Sequence, residues 1–283
     1  MSEITEIIQI MEMPGDIAEY CEKCFAEIKA EPRLFSLLRT AETHYATEFD
    51  PDKAVAQLAK ESGLHRYTVN LLVLLVLSIR LRQIYKVKGY SEASFRDFMV
   101  NVRCKIAECM QVYGIRGSFI FTEFKKYFEC TTFTLGRLSF EARPIPFDYG
   151  DVCKKGDIVL DCHIPSSGPL LMEDVEASFR QAYEFYKVQG KMIVVCSSWL
   201  LYPPFYREVF PENSNLRRFY ELFDVVQQRE CPYSWHGWRI FGTNESDLDK
   251  LPLKTTLQKN LHAYMKKGNS MGSGCGILIR DYH

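Results

Sequence analysis

The sequence has no surplus of charge of one sign: 35 lysines and arginines stand against 36 aspartates and glutamates, for a net charge of −1. The basic residues are scattered, which excludes the massed positive surface that draws a protein to nucleic acid or anionic lipid. No hydrophobic run reaches bilayer length. The longest, LLVLLVLSI from Leu71 to Ile79, falls far short of the ~20 residues of a spanning helix and reads as a buried helix. The opening MSEITEIIQIMEM is acidic and lacks the basic-then-apolar order of a signal peptide. The ten cysteines therefore fit a reducing compartment better than a disulfide framework. These absences set the expectation of a soluble cytoplasmic protein with neither membrane nor nucleic acid as partner.

Two further absences narrow the chemistry. Cys21 and Cys24 form a CxxC with no second knuckle, since Cys104 and Cys109 are spaced too loosely. A structural zinc site needs four Cys or His ligands, so the pair reads as helix packing and no metal is expected. A hydrolase built from Ser197 or Ser198 with His163 would want a Gly-x-Ser-x-Gly turn around its serine, and neither serine has one.

What is present divides in two. The first ~115 residues read as helix. MPGDIAEYCEKCFAEIKA spaces Ile17, Tyr20, Cys21, Cys24, Phe25 and Ile28 along one face, and DPDKAVAQLAKESGLHRYTVNLLVLLVLSI gives two more helices joined near Gly63. Ala59, Gly63 and Val69 have helix-turn-helix spacing. The second helix, however, is a wall of aliphatics with a single asparagine, where a DNA reader needs polar side chains for base edges. A helix pair turned tightly within the core is the better reading. SEASFRDFMVNVRCKIAECMQVYG opens on a capping serine and closes at Gly114.

Past Phe133 the period becomes that of strands. TFTLGRLSFEARPI alternates, with Leu138, Phe140 and Ala142 opposite Arg137, Ser139, Glu141 and Arg143. DIVLDCHI sets Ile158, Leu160, Cys162 and Ile164 opposite Asp157, Asp161 and His163. KMIVVCSSWL is a continuous apolar strand, and an amphipathic helix of roughly Met172 to Val188 precedes it. Short helices follow around PPFYREVF and NSNLRRFYELF, then strands near FDVVQQ and WRIFG, a helix PLKTTLQKNLHAYMKK and a final strand GILI. The expected division is a helical domain over 1–130 and an α/β (α+β) domain over 131–283.

Two segments invite a phosphate reading. In GNSMGSGCGILI the order is helix, glycines, strand, the reverse of a phosphate cradle, so Gly268, Gly272, Gly274 and Gly276 read as helix termination and a flexible turn. In HIPSSGPLLMEDVEASF the order is strand, loop, helix, which suits an anion at the unpaired N–H groups of a first helical turn. Against that, Pro165 and Pro169 each remove a donor, and Glu173 and Asp174 occupy the dipole. An anion loop and a plain capped turn both remain open.

The second half resembles the C-terminal domain of a group of bacterial GNAT-like acyltransferases, and the first half the helical N-terminal domain that travels with it. The matching words are GRLSFE (136–141), HIPSSGPL (163–170), SWLL (198–201), Ser214 with Asn215, and LPLKTTLQ (251–258). The resemblance implies a mixed β-sheet flanked by helices and splayed between two central strands, with acetyl-CoA or another acyl-CoA as co-substrate wedged in the split. DIVLDCHI and KMIVVCSS would be those strands. Ile164, Ser166, Ser167, Gly168, Leu170, Ser198 and Asn215 would then contact the cofactor. Ordinary members of the wider fold carry Arg or Gln before a Gly-x-Gly/Ala turn, whereas SSGPLL has one glycine and no basic residue.

The implied reaction is direct acyl transfer to an amine on a small molecule. It needs a base for the attacking ammonium and an acid for the departing thiolate. Glu141 is the candidate base, with a salt bridge to Arg137 or Arg143 as its competing role. His163 shares or relays that role, and Tyr206 is the candidate acid. If the two strands share a polar face, Glu141 and His163 fall within about 10 Å of each other, given strand spacings near ~4.8 Å. A non-catalytic module binding a small metabolite or CoA on the same scaffold is the alternative.

Overall fold

The computed structural model describes residues 3–47 and 52–282. Met1, Ser2, Asp50 and Pro51, which enter the readings above, lie outside them. The chain forms two compact units, Met1–Phe133 and Thr134–His283.

The first unit contains helices α1 (Glu3–Met11), α2 (Gly15–Ala30), α3 (Pro32–Thr47), α4 (Asp52–Ser62), α5 (Arg66–Lys88), α6 (Glu92–Tyr113) and the single turn α7 (Lys125–Phe128). Helix α5 is its axis. By length and composition it is the described helix that could cross a membrane, yet 67% of its apolar window is buried inside the protein. Leu71, Leu72, Val73, Leu74 and Leu75 have no exposed surface at all, as expected of a stretch that is apolar all round. Two polar residues just before it are bonded internally: Thr68 Oγ1 donates to the Arg116 carbonyl and Asn70 Nδ2 to that of Ser118, both at 3.0 Å. The helix after Gly63 is therefore a core element over this stretch. Cys21 and Cys24 are buried on α2. Burial pushes the Cys21 thiol up to about 12.

The second unit is built on strands β1 (Thr132–Leu135), β2 (Leu138–Pro144), β3 (Ile158–His163), β4 (Met192–Ser198), β5 (Asp224–Cys231) and β6 (Met271–Arg280). Their order across the sheet is β1-β2-β3-β4-β6-β5. Only β3 and β4 run parallel; β2 against β3, β4 against β6 and β5 against β6 are antiparallel. Helix α8 (Met172–Phe185) makes the crossover between the parallel pair and packs on one face, where Phe179 meets Phe140 edge-on at 5.9 Å between ring centroids. Further helices follow: α9 (Pro203–Glu208), α10 (Asn215–Tyr220), α11 (Tyr233–Phe241) and α12 (Thr256–Lys266). This is the mixed sheet flanked by helices that the resemblance implies.

Several local expectations need correction. TFTLGRLSFEARPI is a hairpin, turned at Gly136 with φ of 68°, so Arg137 sits on the turn and not on the strand. WRIFG lies in a helix: α11 starts after Pro232 and ends on Gly242 in the left-handed conformation. It buries Gly237, Trp238 and Phe241, a helical spacing that β-prone aromatics obscure. The phase of DIVLDCHI holds at Leu160 and Cys162, but Ile158, at the strand's end, is 68% exposed while Val159 and Asp161 are buried.

The glycines 272, 274 and 276 form no turn; they lie within β6. A side chain there has no room: a Cβ on Gly274 would stand 1.9 Å from the Leu201 carbonyl oxygen, and one on Gly272 would lie 2.4 Å from the Tyr202 ring. The glycines let the 199–202 turn lie directly on the sheet, a use of strand glycine that depends on close approach and not on flexibility.

Candidate active site

Pairing register assembles the site. Glu141 on β2 lies opposite Asp161 on β3, and Ser139 lies opposite His163. Asp161 lies opposite Val195 on β4, and Val195 opposite Ile277 on β6. Because side chains alternate along a strand, Glu141, Arg143, Asp161, His163 and Ser197 share the face turned away from α8. The rest of that face is apolar: Val159, Val195 and Ile277 pack with Ile145 and Cys153 of the 145–157 segment. A polar corner thus adjoins a closed hydrophobic cluster.

Within that corner, Glu141, Asp161 and His163 each place one nitrogen or oxygen atom within 4.8 Å of the others. Glu141 is 9% and Asp161 7% exposed, whereas the His163 side chain is 44% exposed. Arg143 Nε donates to Asp161 Oδ2 at 2.6 Å, and His163 Nε2 stands 3.9 Å from the same oxygen, beyond direct hydrogen-bond length. The trio is compact enough for a cation, but the guanidinium of Arg143 already holds Asp161. The donor set suits proton transfer between a carboxylate and an imidazole at the edge of solvent.

Sequence reading gave Asp161 no role and offered Arg143 only as a salt-bridge partner for Glu141; Arg143 holds Asp161. A signal was there, since an aspartate in the middle of VLDCHI shares the phase of His163. Cys275 lies opposite Ser197; burial pushes its thiol up, and a hydrogen bond with Ser197 pulls it down.

Strands β3 and β4 pair only from Leu160 with Val194 to Cys162 with Cys196. His163 on one and Ser197 and Ser198 on the other continue as strand beyond these three pairs, as Ile158, Val159, Met192 and Ile193 do before them. Past His163 runs the loop of Ile164, Pro165, Ser166, Ser167, Gly168, Pro169 and Leu170. Its serines do not cap α8, whose N-cap Leu171 provides no side-chain bond. Ser166 is exposed and Ser167 half-buried, and space around the Gly168 Cα is open.

Arg137 holds this loop from the β1–β2 turn. Its Nη1 donates to the Pro165 carbonyl at 2.6 Å, Nη2 to Gly168 at 2.9 Å and Nε to Pro169 at 3.0 Å. The loop that lacks a basic residue of its own receives one across 28 to 32 positions of sequence. Ser198 accepts from the Leu200 N–H at 3.2 Å, and Asn215 opens α10 behind its cap Ser214. Tyr206 on α9 is engaged elsewhere: its hydroxyl donates to Glu221 Oε1 at 2.8 Å, and its ring stacks on Tyr220 at 4.4 Å. The bond to Glu221 raises its pKa.

Residues 132–278 match the family model described as a GNAT-like C-terminal domain, and residues 2–120 match that of the N-acyltransferase N-terminal domain. Among solved structures, an acyltransferase in complex with decanoyl-CoA and teicoplanin is 20% identical, with 97% of this chain and 86% of that one covered at a TM-score of 0.77. A mutant acyltransferase in complex with octanoyl-CoA is 19% identical over 96% of this chain and 86% of that one, also at 0.77. No curated protein matches. The likeness to these structures is one of fold; the two family models together span nearly the whole chain, which belongs to the GNAT-like acyltransferase family that joins an N-acyltransferase N-terminal domain to a GNAT-like C-terminal domain.

Proposed function

We propose that the protein transfers an acyl group from acyl-CoA directly to an amine of a small-molecule acceptor. The observation that carries this reading is the gathering of Glu141, Asp161 and His163 on one face, beside the end of the β3–β4 pairing at Cys162 and Cys196. The strand-end backbone beyond that pairing would take the hydrogen bonds of an extended chain. The loop beyond it, with Ile164, Ser166, Ser167, Gly168 and Leu170, suits a phosphate-bearing arm, and Ser198 and Asn215 stand on segments that follow the partner strand.

In the reaction, Glu141 takes the proton of the attacking ammonium, directly or through water shared with exposed His163. The freed amine attacks the thioester carbonyl, a C–N bond forms, the C–S bond breaks as the thiolate leaves, and the nitrogen gives up its second proton to solvent to leave a neutral amide. Asp161 and Arg143 act through their neighbours: the ion pair fixes charge beside Glu141, and Asp161 orients the imidazole. Tyr206 is assigned the proton for the thiolate. Its raised pKa keeps that proton in place at neutral pH, and donation requires its hydroxyl to leave Glu221. The acyl-CoA complexes of the related acyltransferases support the co-substrate, and the teicoplanin complex supports a small-molecule acceptor.

Two measurements test the reading. CoA at ~100 times its dissociation constant should stabilise the native protein by about 2.7 kcal/mol, seen as a rise in Tm. Decanoyl-CoA with a panel of amines should release free thiol in step with amide. Stabilisation without turnover would leave a CoA-binding module; no shift at millimolar CoA would remove the acyltransferase reading.

A further inference from the structure

The helical N-terminal unit holds a groove of about 710 Å³ that the proposed reaction does not use, between α1, α2, α3 and α5. Its size falls within the ~300–1,000 Å³ typical of small-molecule sites. Phe25, Phe35, Val76 and Ile79 supply apolar walls. Polar groups line the rest, and they are unbalanced in sign: Lys29, Arg39 and Arg80 against one carboxylate, Glu42.

The balance becomes sharper once internal pairs are removed. Arg39 Nη1 sits 2.5 Å from Glu42 Oε2, so these two charges cancel. Glu42 is only 6% exposed, and this pair is part of the groove wall. Lys29 and Arg80 make no ion pair or hydrogen bond with other described residues, and both are exposed. They stand on separate helices, α2 and α5. Two uncompensated cations beside an apolar trough form an amphipathic receptor of positive sign.

From this we infer that the N-terminal unit binds an anionic amphiphile, an alkyl chain ending in a carboxylate or phosphate. The chain lies against Phe25, Phe35, Val76 and Ile79, and the head is held by Arg80 and Lys29. Arg80 offers a planar fork that fits either head group, and Lys29 adds a point charge. All of these residues belong to the first unit.

Binding to the full-length protein can be measured calorimetrically with decanoate and with decyl phosphate below their micellar concentrations. The tighter of the two identifies the head group. Arg80→Ala should weaken that ligand about ten-fold, the loss of one charge-assisted contact. Shortening decanoate to octanoate should weaken it by a similar factor, because methylene burial sets chain-length dependence. Decyltrimethylammonium, with the same chain and opposite charge, should bind much more weakly. Lys29→Ala, which removes a point charge and no planar fork, should cost less than Arg80→Ala. The inference fails if neither anion binds, if the cationic amphiphile binds equally well, if Arg80→Ala leaves affinity unchanged while the fold is intact by circular dichroism, or if CoA displaces the bound amphiphile.

Discussion

The two units solve opposite problems with similar material. The helical unit bonds Thr68 and Asn70 to nearby carbonyls beside the 71–75 stretch of α5, which is buried on every side. The sheet unit instead gathers charge: Glu141, Asp161 and Arg143 sit together at a half-buried corner of an otherwise apolar face. Charge in such a position is costly to desolvate unless it is paired, and a cluster on one face persists where the arrangement is used. In the first unit the buried residues named above report packing; in the second the buried carboxylates are the groups that the proposed reaction uses.

Glu141→Gln should expose that difference most strongly. Removing a general base typically costs a factor of about 10² to 10⁴ in rate, while the amide keeps the volume of the carboxyl group. Turnover should therefore collapse with Tm within a few degrees of wild type. A variant that loses its cooperative transition would assign Glu141 to the fold.

Leu74→Ala in α5 should show the reverse signature. Truncating a fully buried leucine costs about 2–5 kcal/mol, enough to lower the transition of a unit this size by on the order of 10 °C. Thioester turnover, measured well below that transition, should change little. If turnover falls as steeply as for Glu141→Gln, the separation of roles between the units is wrong.

The same contrast explains what could be read from sequence. Periodicity is a local property, so α2, α5, α6 and α8 were legible from side-chain spacing, as was the burial of the 71–79 stretch. The polar phase shared by Asp161 and His163 was legible for the same reason. Register is not local. Nothing in GRLSFE or VLDCH alone says that Glu141 lies opposite Asp161, or that Arg143 reaches across to it. Aromatic-rich α11 misled because bulky residues favour strands on average, while its helix ends are set by Pro232 and Gly242. The β6 glycines misled because their cause, the 199–202 turn lying on them, is some 70 residues away in sequence. Arg137 was the least visible, since its partners are carbonyl oxygens, which carry no sequence identity.

Arg137 offers a test between the two extremes. Its three bonds to the carbonyls of Pro165, Gly168 and Pro169 make it neither a core residue nor a proton carrier. Arg137→Ala should loosen the 165–169 loop and raise KM for acyl-CoA about ten-fold, with kcat changed much less. Arg137→Lys, which keeps the charge and loses the fork, should recover only part of this. Full recovery by lysine would show that charge, and not the clamp, is what the loop needs; a fall in kcat alone would place Arg137 in the chemistry.

The smallest effect concerns pH, and it comes from the sheet unit's own packing. His236 on α11 has a buried Nδ1 without a hydrogen-bond partner. Burial, reinforced by Arg239 and Arg229, brings its pKa down to about 4. An unfolded chain would protonate this imidazole near its ordinary value of ~6.5. Between those two values the unfolded state therefore binds a proton that the folded state refuses. Stability is unaffected by this group above pH 6.5, declines as pH falls through the window, and levels off below pH 4. His236→Gln removes the titration while keeping a polar side chain of similar reach. The drop in urea midpoint between pH 7 and pH 5 should be smaller in the variant than in wild type, because the carboxylates and the other histidines contribute equally to both. Equal drops would mean that water reaches the imidazole in the folded protein, and that the polar groups of the second unit are less sealed than those of the first.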